Sequence, residues 1–271
     1  MRRIRIAVAA AIVAALAAGT THANVIDGND GRGALTALAP SLGLTAAEVA
    51  RIRSVSGHVA CAGPMLTIGS GALFLTGGQV LTAAHVLYAN GVREAHCSFR
   101  LQQPGTQWIE LKMDAADMRM GAPQPKPGSN DDWAILALTQ PITGADPFPP
   151  APIPPKAGDR LIALSAHPVG MDAVPLDEPV AEGCAIRRVP VSTAATTFYR
   201  TDCDASAGSS GGMQLWRGAD GALVFRGIVI STGPDTPALA GAPYNEKLGS
   251  VTTALGTDAA ILAAGRALAG S

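Results

Sequence analysis

The chain has 271 residues, 48% hydrophobic and 15% charged, which is enough apolar material for a full core and too much for a disordered polypeptide. Its 20 Lys and Arg residues balance 21 Asp and Glu with no run of like charge, which excludes the electrostatic footprint of a nucleic-acid binder. Length permits one large domain or two lobes of about 100 residues each.

Residues 1–23 read MRRIRIAVAAAIVAALAAGTTHA: three arginines, an apolar stretch from Ile6 to Ala18, and small residues ending at Ala23. This is the pattern of an export signal cut after Ala23. The apolar stretch is shorter than the roughly 20 residues of a membrane span, so a secreted or periplasmic protein is expected, with no membrane contact once the signal is removed. Residues 24–53 then read as a leader or pro-segment: 24–44 are rich in Gly, Ala, Asp and Asn without a period. Thr45 and Glu48 have the spacing of a capping box, and Ala46, Val49, Ala50 and Ile52 give a short helix its apolar side.

Residues 54–143 carry short apolar runs punctuated by Gly, Pro and Asn: HVAC, GALFL, QVLTAA, AHCSFRL, QWIELKM and DWAILAL. These predict antiparallel strands, with Gly77 and Gly78 in a tight hairpin that uses positive backbone angles. Seven prolines between 141 and 158 rule out sheet interior, and 144–158 is assigned as a linker. A second strand set follows in 159–271: RLIALS, EGCAIRR, TFYRTD, MQLW and ALVFRGIVIS. An Ala- and Leu-rich tail capped by Asp258 predicts a closing helix. The expected fold is all-β: two small antiparallel barrels with a short N-terminal and a C-terminal helix.

Cysteines at 61, 97, 184 and 203 form an even set, which in an exported chain argues for two disulfides; three pairings are possible. No two lie at the short spacing of a zinc site and no histidines cluster beside them, so no metal or other cofactor is expected.

Ser210 sits in Gly208-Ser209-Ser210-Gly211-Gly212, where flanking glycines allow a tight turn that exposes a hydroxyl and gathers backbone N–H groups. Read literally the pentapeptide also fits the nucleophile elbow of α/β-hydrolases, but there the histidine follows the serine, and the last histidine here is His167. The base therefore lies upstream, giving the order His, Asp, Ser. Of His58, His85, His96 and His167, only His85 ends an apolar run that passes into small residues, Leu81-Thr82-Ala83-Ala84-His85.

These segments resemble the histidine and serine signatures of trypsin-like serine peptidases. Asp132, opening Asp132-Trp133-Ala134-Ile135-Leu136, is similar to the family's aspartate segment, with Asp131 its neighbour and competitor. The resemblance spans about residues 54–256 and implies a cleft between two six-stranded barrels, a His85, Asp132, Ser210 triad, an oxyanion hole from the N–H groups of Gly208 and Ser210, and a polypeptide substrate cut by a monomer. It also implies disulfides Cys61 to Cys97, bracketing His85, and Cys184 to Cys203, approaching the serine turn.

The sequence departs from the animal enzymes in several places. Ser209 stands where they carry the aspartate that receives a new amino terminus, and no Ile-Val-Gly-Gly start is present. The chain resembles the bacterial glutamyl-endopeptidase branch more closely, yet lacks that branch's late histidine, so cleavage after glutamate is not expected. Asp204 lies six residues before Ser210, the offset of the aspartate in trypsin's pocket, but Cys203 precedes it where trypsin's cysteine follows. Asp204, with Ser231, Thr232 and Gly233 of GIVISTG, forms the candidate substrate-binding set. The rival functions are a catalytically silent binding homologue and an esterase with the same triad.

Overall fold

In a computed structural model, residues 24–63, 65–191, 196–233, 239 and 241–270 are described. The export signal lies outside the described residues.

In chain order the described strands are β1 (Gly33–Ala34), β2 (Ser56–Ala62), β3 (Leu66–Leu73), β4 (Gln79–Thr82), β5 (Tyr88–Ala89), β6 (Val92–Arg93), β7 (His96–Leu101), β8 (Ile109–Leu111), β9 (Met118–Met120), β10 (Ala134–Ala137), β11 (Arg160–Ser165), β12 (Val180–Arg188), β13 (Phe198–Thr201), β14 (Met213–Arg217), β15 (Leu223–Thr232) and β16 (Thr252–Gly256). Three helices accompany them: Leu35–Leu38, Ala46–Arg53 and Ala259–Ala269. Thr45 and Glu48 form the reciprocal capping box, and Asp258 caps the last helix through the Ala260 N–H.

The described strands divide into two seven-stranded antiparallel sheets and a small two-stranded one, β5 with β6. One runs β12, β11, β14, β15, β16, β13 and closes on itself where β13 pairs again with β12, with β1 added to the outer edge of β12. This is a complete six-stranded barrel. The other runs β8, β7, β2, β3, β4, β10, β9 and is a half-barrel; among the described residues β8 is drawn to the end of β10 by one bridge, Leu111 with Leu138, made by the Lys112 and Thr139 N–H groups. The two-barrel, chymotrypsin-like expectation holds.

Several elements depart from the sequence reading, among them the two-residue strands β1, β5 and β6 and the helix Leu35–Leu38, which lies in a segment read as having no period. β9 (MRM) and β16 (TTALG) are not among the apolar runs, because an arginine at the centre of one and two threonines at the start of the other leave no apolar run to read. The turn after β3 puts its positive φ on Leu75 and not on Gly77 or Gly78. Gly77 is needed for a different reason: a Cβ there would lie 2.4 Å from the Ile142 carbonyl oxygen.

The core runs through both sheets and across the seam, where Phe74 of the first lobe meets Phe225 of β15 edge to face at 5.7 Å. Both rings are fully buried, which places them among the larger single contributions at about 2 to 3 kcal/mol each. The Pro-rich connection runs over this contact. Phe148 is buried beneath the Arg51 guanidinium, and the backbone beside Pro150 makes one bridge to Phe225. The cysteines are paired as Cys61 with Cys97 and Cys184 with Cys203. Cys61 and Cys97 face each other directly in the β2–β7 register.

Candidate active site

His85 lies on a single 3-10 turn, Ala84–Leu87, that follows β4. Ala83 and Ala84 are completely buried, so the chain can turn at the barrel rim without a bulky side chain competing for the space. β4 and β10 are antiparallel with Ala134 opposite Thr82. Continuing that register brings the residue two before Ala134 beside Ala84 and His85, and that residue is Asp132.

The carboxylate of Asp132 is fully buried and satisfied on both oxygens. Oδ1 accepts the His85 backbone N–H at 2.9 Å, while Oδ2 faces His85 Nδ1 at 2.8 Å and accepts the Gly128 N–H at 2.7 Å. An acceptor facing Nδ1 makes that nitrogen the donor and leaves Nε2 of a neutral imidazole with a lone pair. Asp131 is exposed and does not take this place. Gly128 had no signal in the sequence, because its part is played by a backbone N–H that any residue type carries.

Ser210 occupies a turn whose hydrogen bonds are local and dense. The Ser209 N–H donates to the Ser206 carbonyl, Gly212 N–H to Ser209, and Gly211 N–H to Val229 of β15. Gly208 and Gly211 have φ of +95° and +83°, values that favour glycine. Among the described residues, the N–H groups of Gly208 and Ser210 donate to nothing, and no hydrogen bond joins Ser210 Oγ to the imidazole. A pair of undirected donors on either side of Ser209 is the arrangement expected of an oxyanion hole.

The two turns meet across β3. A Cβ on Gly69 would lie 2.6 Å from a methyl of Val86 and 2.9 Å from the carbonyl oxygen of Ser210, so the strand is wedged between the histidine turn and the serine turn. Gly211 presses on Ser70 and Thr82, with an added Cβ 2.0 Å from the Ser70 carbonyl oxygen and 2.3 Å from Thr82 Oγ1. Ser70, which sequence reasoning missed, ties the lobes together. Its N–H donates to the Ser210 carbonyl at 2.7 Å, its hydroxyl donates to the Gly208 carbonyl at 2.7 Å, and that hydroxyl accepts from Ala166 at 2.8 Å. The only available hint was a serine between two glycines inside an apolar strand.

The other histidines sit elsewhere. His58 is buried in β2, with Nε2 2.8 Å from the Leu176 carbonyl oxygen, and burial pulls its pKa down to about 4. His96 is exposed, 3.8 Å from Glu110. His167 holds a left-handed φ of 47° behind Gly208, and burial lowers its pKa.

The candidate substrate-binding residues fall into two groups. Ser231, the last but one residue of β15, lies against Gly128, where an added Cβ on the glycine would lie 3.0 Å from the Ser231 Cβ, so this end of the strand borders the Asp132 loop. Thr232 follows in β15, and Gly233 abuts the Gly249 carbonyl and the side-chain amide of Asn24. β15 carries a bulge here: Val229 pairs with Ala254 and Ser231 with Thr253, leaving Ile230 unmatched. Asp204 is differently occupied. It is buried, and its two oxygens accept the N–H groups of Ile26 at 2.7 Å and Gly31 at 2.8 Å. Burial pushes its pKa up to about 6, against those two hydrogen bonds. Its carboxylate thus serves the N-terminal segment.

Comparison with known proteins bears on the fold. The HtrA-type protease AlgW in complex with a tripeptide superposes with a TM-score of 0.54 at 16% identity, covering 79% of this chain and 60% of that one. A serine endoprotease from Yersinia pestis gives 0.53 at 18%, covering 82% and 65%, and an inactive form of the Rv3671c protease from M. tuberculosis H37Rv gives 0.53 at 17%, covering 82% and 90%. The chain therefore spans about 60% of the length of the first HtrA-type structures it matches. No curated protein matches it. The family model of the trypsin-like peptidase domain matches residues 69–224, more than half of the chain and a span that includes His85, Asp132 and Ser210. By fold and by this match, the chain belongs to the trypsin-like peptidase family.

Proposed function

We propose that the protein is an exported serine endopeptidase that hydrolyses peptide bonds through His85, Asp132 and Ser210. The observation that carries the reading is the Asp132 carboxylate holding both the backbone N–H and Nδ1 of His85, on a turn separated from Ser210 by one glycine of β3. Substrate binding brings the Ser210 hydroxyl to Nε2, a contact that commonly tightens only in the complex. Ser210 Oγ bonds to the carbonyl carbon while its proton passes to Nε2, and the oxyanion is met by the Gly208 and Ser210 N–H groups. The tetrahedral adduct collapses, the C–N bond breaks, and His85 returns the proton to the leaving amine. Water then repeats the sequence on the acyl-enzyme and frees Ser210.

Ser231, Thr232 and Gly233 are proposed to border the substrate strand. A preference for Lys or Arg is not part of the proposal, since the Asp204 carboxylate is already engaged by Ile26 and Gly31. Nor is the glutamyl-endopeptidase branch, whose late histidine is missing. Export is supported by the signal-like residues 1–23 and by two disulfides, which persist in oxidising compartments.

The test is covalent labelling with a fluorophosphonate. Wild type should be labelled at Ser210, and Ser210→Ala and His85→Ala should not; equal labelling of all three rejects the assignment. Turnover of acyl esters with no cleavage of any peptide in a library would replace the peptidase by an esterase.

A further inference from the structure

Residues 24–34 fit the described fold closely. Asn24 exchanges backbone hydrogen bonds with Ala205, Ile26 and Gly31 hold the Asp204 carboxylate, and β1 pairs with β12. The tightest point is Arg32, whose side chain is only 3% exposed. Asp30 takes two corners of the guanidinium, Nε at 2.9 Å and Nη2 at 2.8 Å, which aims Nη1 at Ser206 Oγ, 2.8 Å away. Ser206 is a relay. Its hydroxyl donates to the Val169 carbonyl at 2.8 Å, its N–H donates to Ser209 Oγ at 3.2 Å, and its carbonyl accepts from the Ser209 N–H at 2.9 Å. Ser209 immediately precedes Ser210, and the loop from Ser206 to Ser209 encloses Gly208.

We propose that Arg32 is a positioning residue for the nucleophile turn, acting through Ser206 and Ser209, and that residues 24–34 are a working part of the enzyme and not a segment to be discarded. The inference rests on Ser210 being the nucleophile. A buried guanidinium is costly unless every donor direction is used, and here the directions are divided between one carboxylate and one hydroxyl of the turn. Without it, Ser206 keeps its bond to Val169 but loses the contact that fixes its hydroxyl from the other side. The Gly208 N–H and Ser210 Oγ then wander relative to the reacting carbonyl. Substrate contacts along β15 are untouched, so the loss falls on kcat and not on KM.

The experiment compares wild type, Arg32→Ala, Arg32→Lys, Ser206→Ala and, as a control, Arg51→Ala, in peptide kinetics, fluorophosphonate labelling rate and thermal midpoint. Arg51 instead binds the backbone carbonyls of Asp146 and Pro147 in the Pro-rich connection. Misplacement of a reacting group by about 1 Å costs up to roughly 10²-fold, so Arg32→Ala should lower kcat and labelling rate by about 10- to 100-fold with KM unchanged. Lysine has one charged nitrogen and cannot serve Asp30 and Ser206 together, so Arg32→Lys should recover only part, and added guanidinium ion should partly rescue Arg32→Ala. Arg51→Ala should lose thermal stability with kcat intact. Intact mass of the labelled wild type should retain residues 24–34.

The proposal is overturned if folded Arg32→Ala turns over at the wild-type rate, if only KM rises, or if the labelled species begins after Ala34. Should Arg32→Ala fail to fold, Ser206→Ala decides: a reduced kcat supports the relay and an unchanged one removes it. Absence of label on wild type instead overturns the peptidase reading on which this one stands.

Discussion

At the scale of single residues, the site is organised by buried acceptors. Asp132 receives three donors, two of them from His85, so its task is to fix where the imidazole lies and which nitrogen carries the proton. Asp132→Asn keeps the volume but offers an NH2 where an acceptor is needed, which turns the ring to the wrong tautomer. In the triad this change costs about 10⁴-fold in kcat, and the same loss is expected here with little change in fold by circular dichroism. A variant within tenfold of wild type on a peptide substrate would mean that Asp132 does not orient the base. The three residues of this set were legible because each sits in a local pattern: an apolar run into alanines, an aspartate opening a strand, a serine between glycines. Ser70, Gly128 and Arg32 were not. They act through the backbone or across long separations, and neither leaves a period or a spacing to read.

At the scale of elements, the apolar runs in the sequence found strands as short as β8 and β10 but not β9 and β16, whose residues, MRM and TTALG, mix polar side chains into the strand and give no apolar run. Both capped helices were legible, because a cap is a contact between residues two or three apart. The segment from 24 to 34 had no period, as its order comes from contacts with residues about 150 to 180 positions later in the chain. The Cys184–Cys203 bridge closes a 19-residue separation and ties β12 to the approach of the nucleophile turn. Replacing both cysteines by serine should lower unfolding stability by about 3 kcal/mol, read from urea titration against wild type. A change under 1 kcal/mol would show that the loop is already constrained by its other contacts.

At the scale of the whole molecule, Glu182 of β12 couples folding to pH. Burial, then the nearby Asp204 carboxylate, pushes its pKa up to about 9, against the Asp204 N–H that it accepts; Arg32 pulls the other way and Asp202 adds to the rise. An acid with a raised folded pKa keeps its proton in the native state while the unfolded chain loses it above 4.5. Its contribution is therefore complete below that value and is lost as pH climbs toward 9, with Asp204 acting in the same sense up to about 6. Unfolding free energy measured from pH 5 to 9 should fall with pH, and Glu182→Gln should flatten the slope. An identical slope in the variant would assign the dependence to other groups.

The two lobes are closed to different degrees, and the proposed triad is divided between them. Ser210 belongs to the complete barrel; His85 and Asp132 belong to the one whose described strands are fastened by one bridge at Leu111 and Leu138. Loosening of that fastening would part the proposed base from the proposed nucleophile while most of the molecule is still intact. On warming, hydrolysis should fade several degrees before the cooperative calorimetric transition, and amides of β8 and β10 should exchange with deuterium ahead of those in β14 and β15. The chemistry would then be set by the weaker of two vessels, whatever the strength of the other.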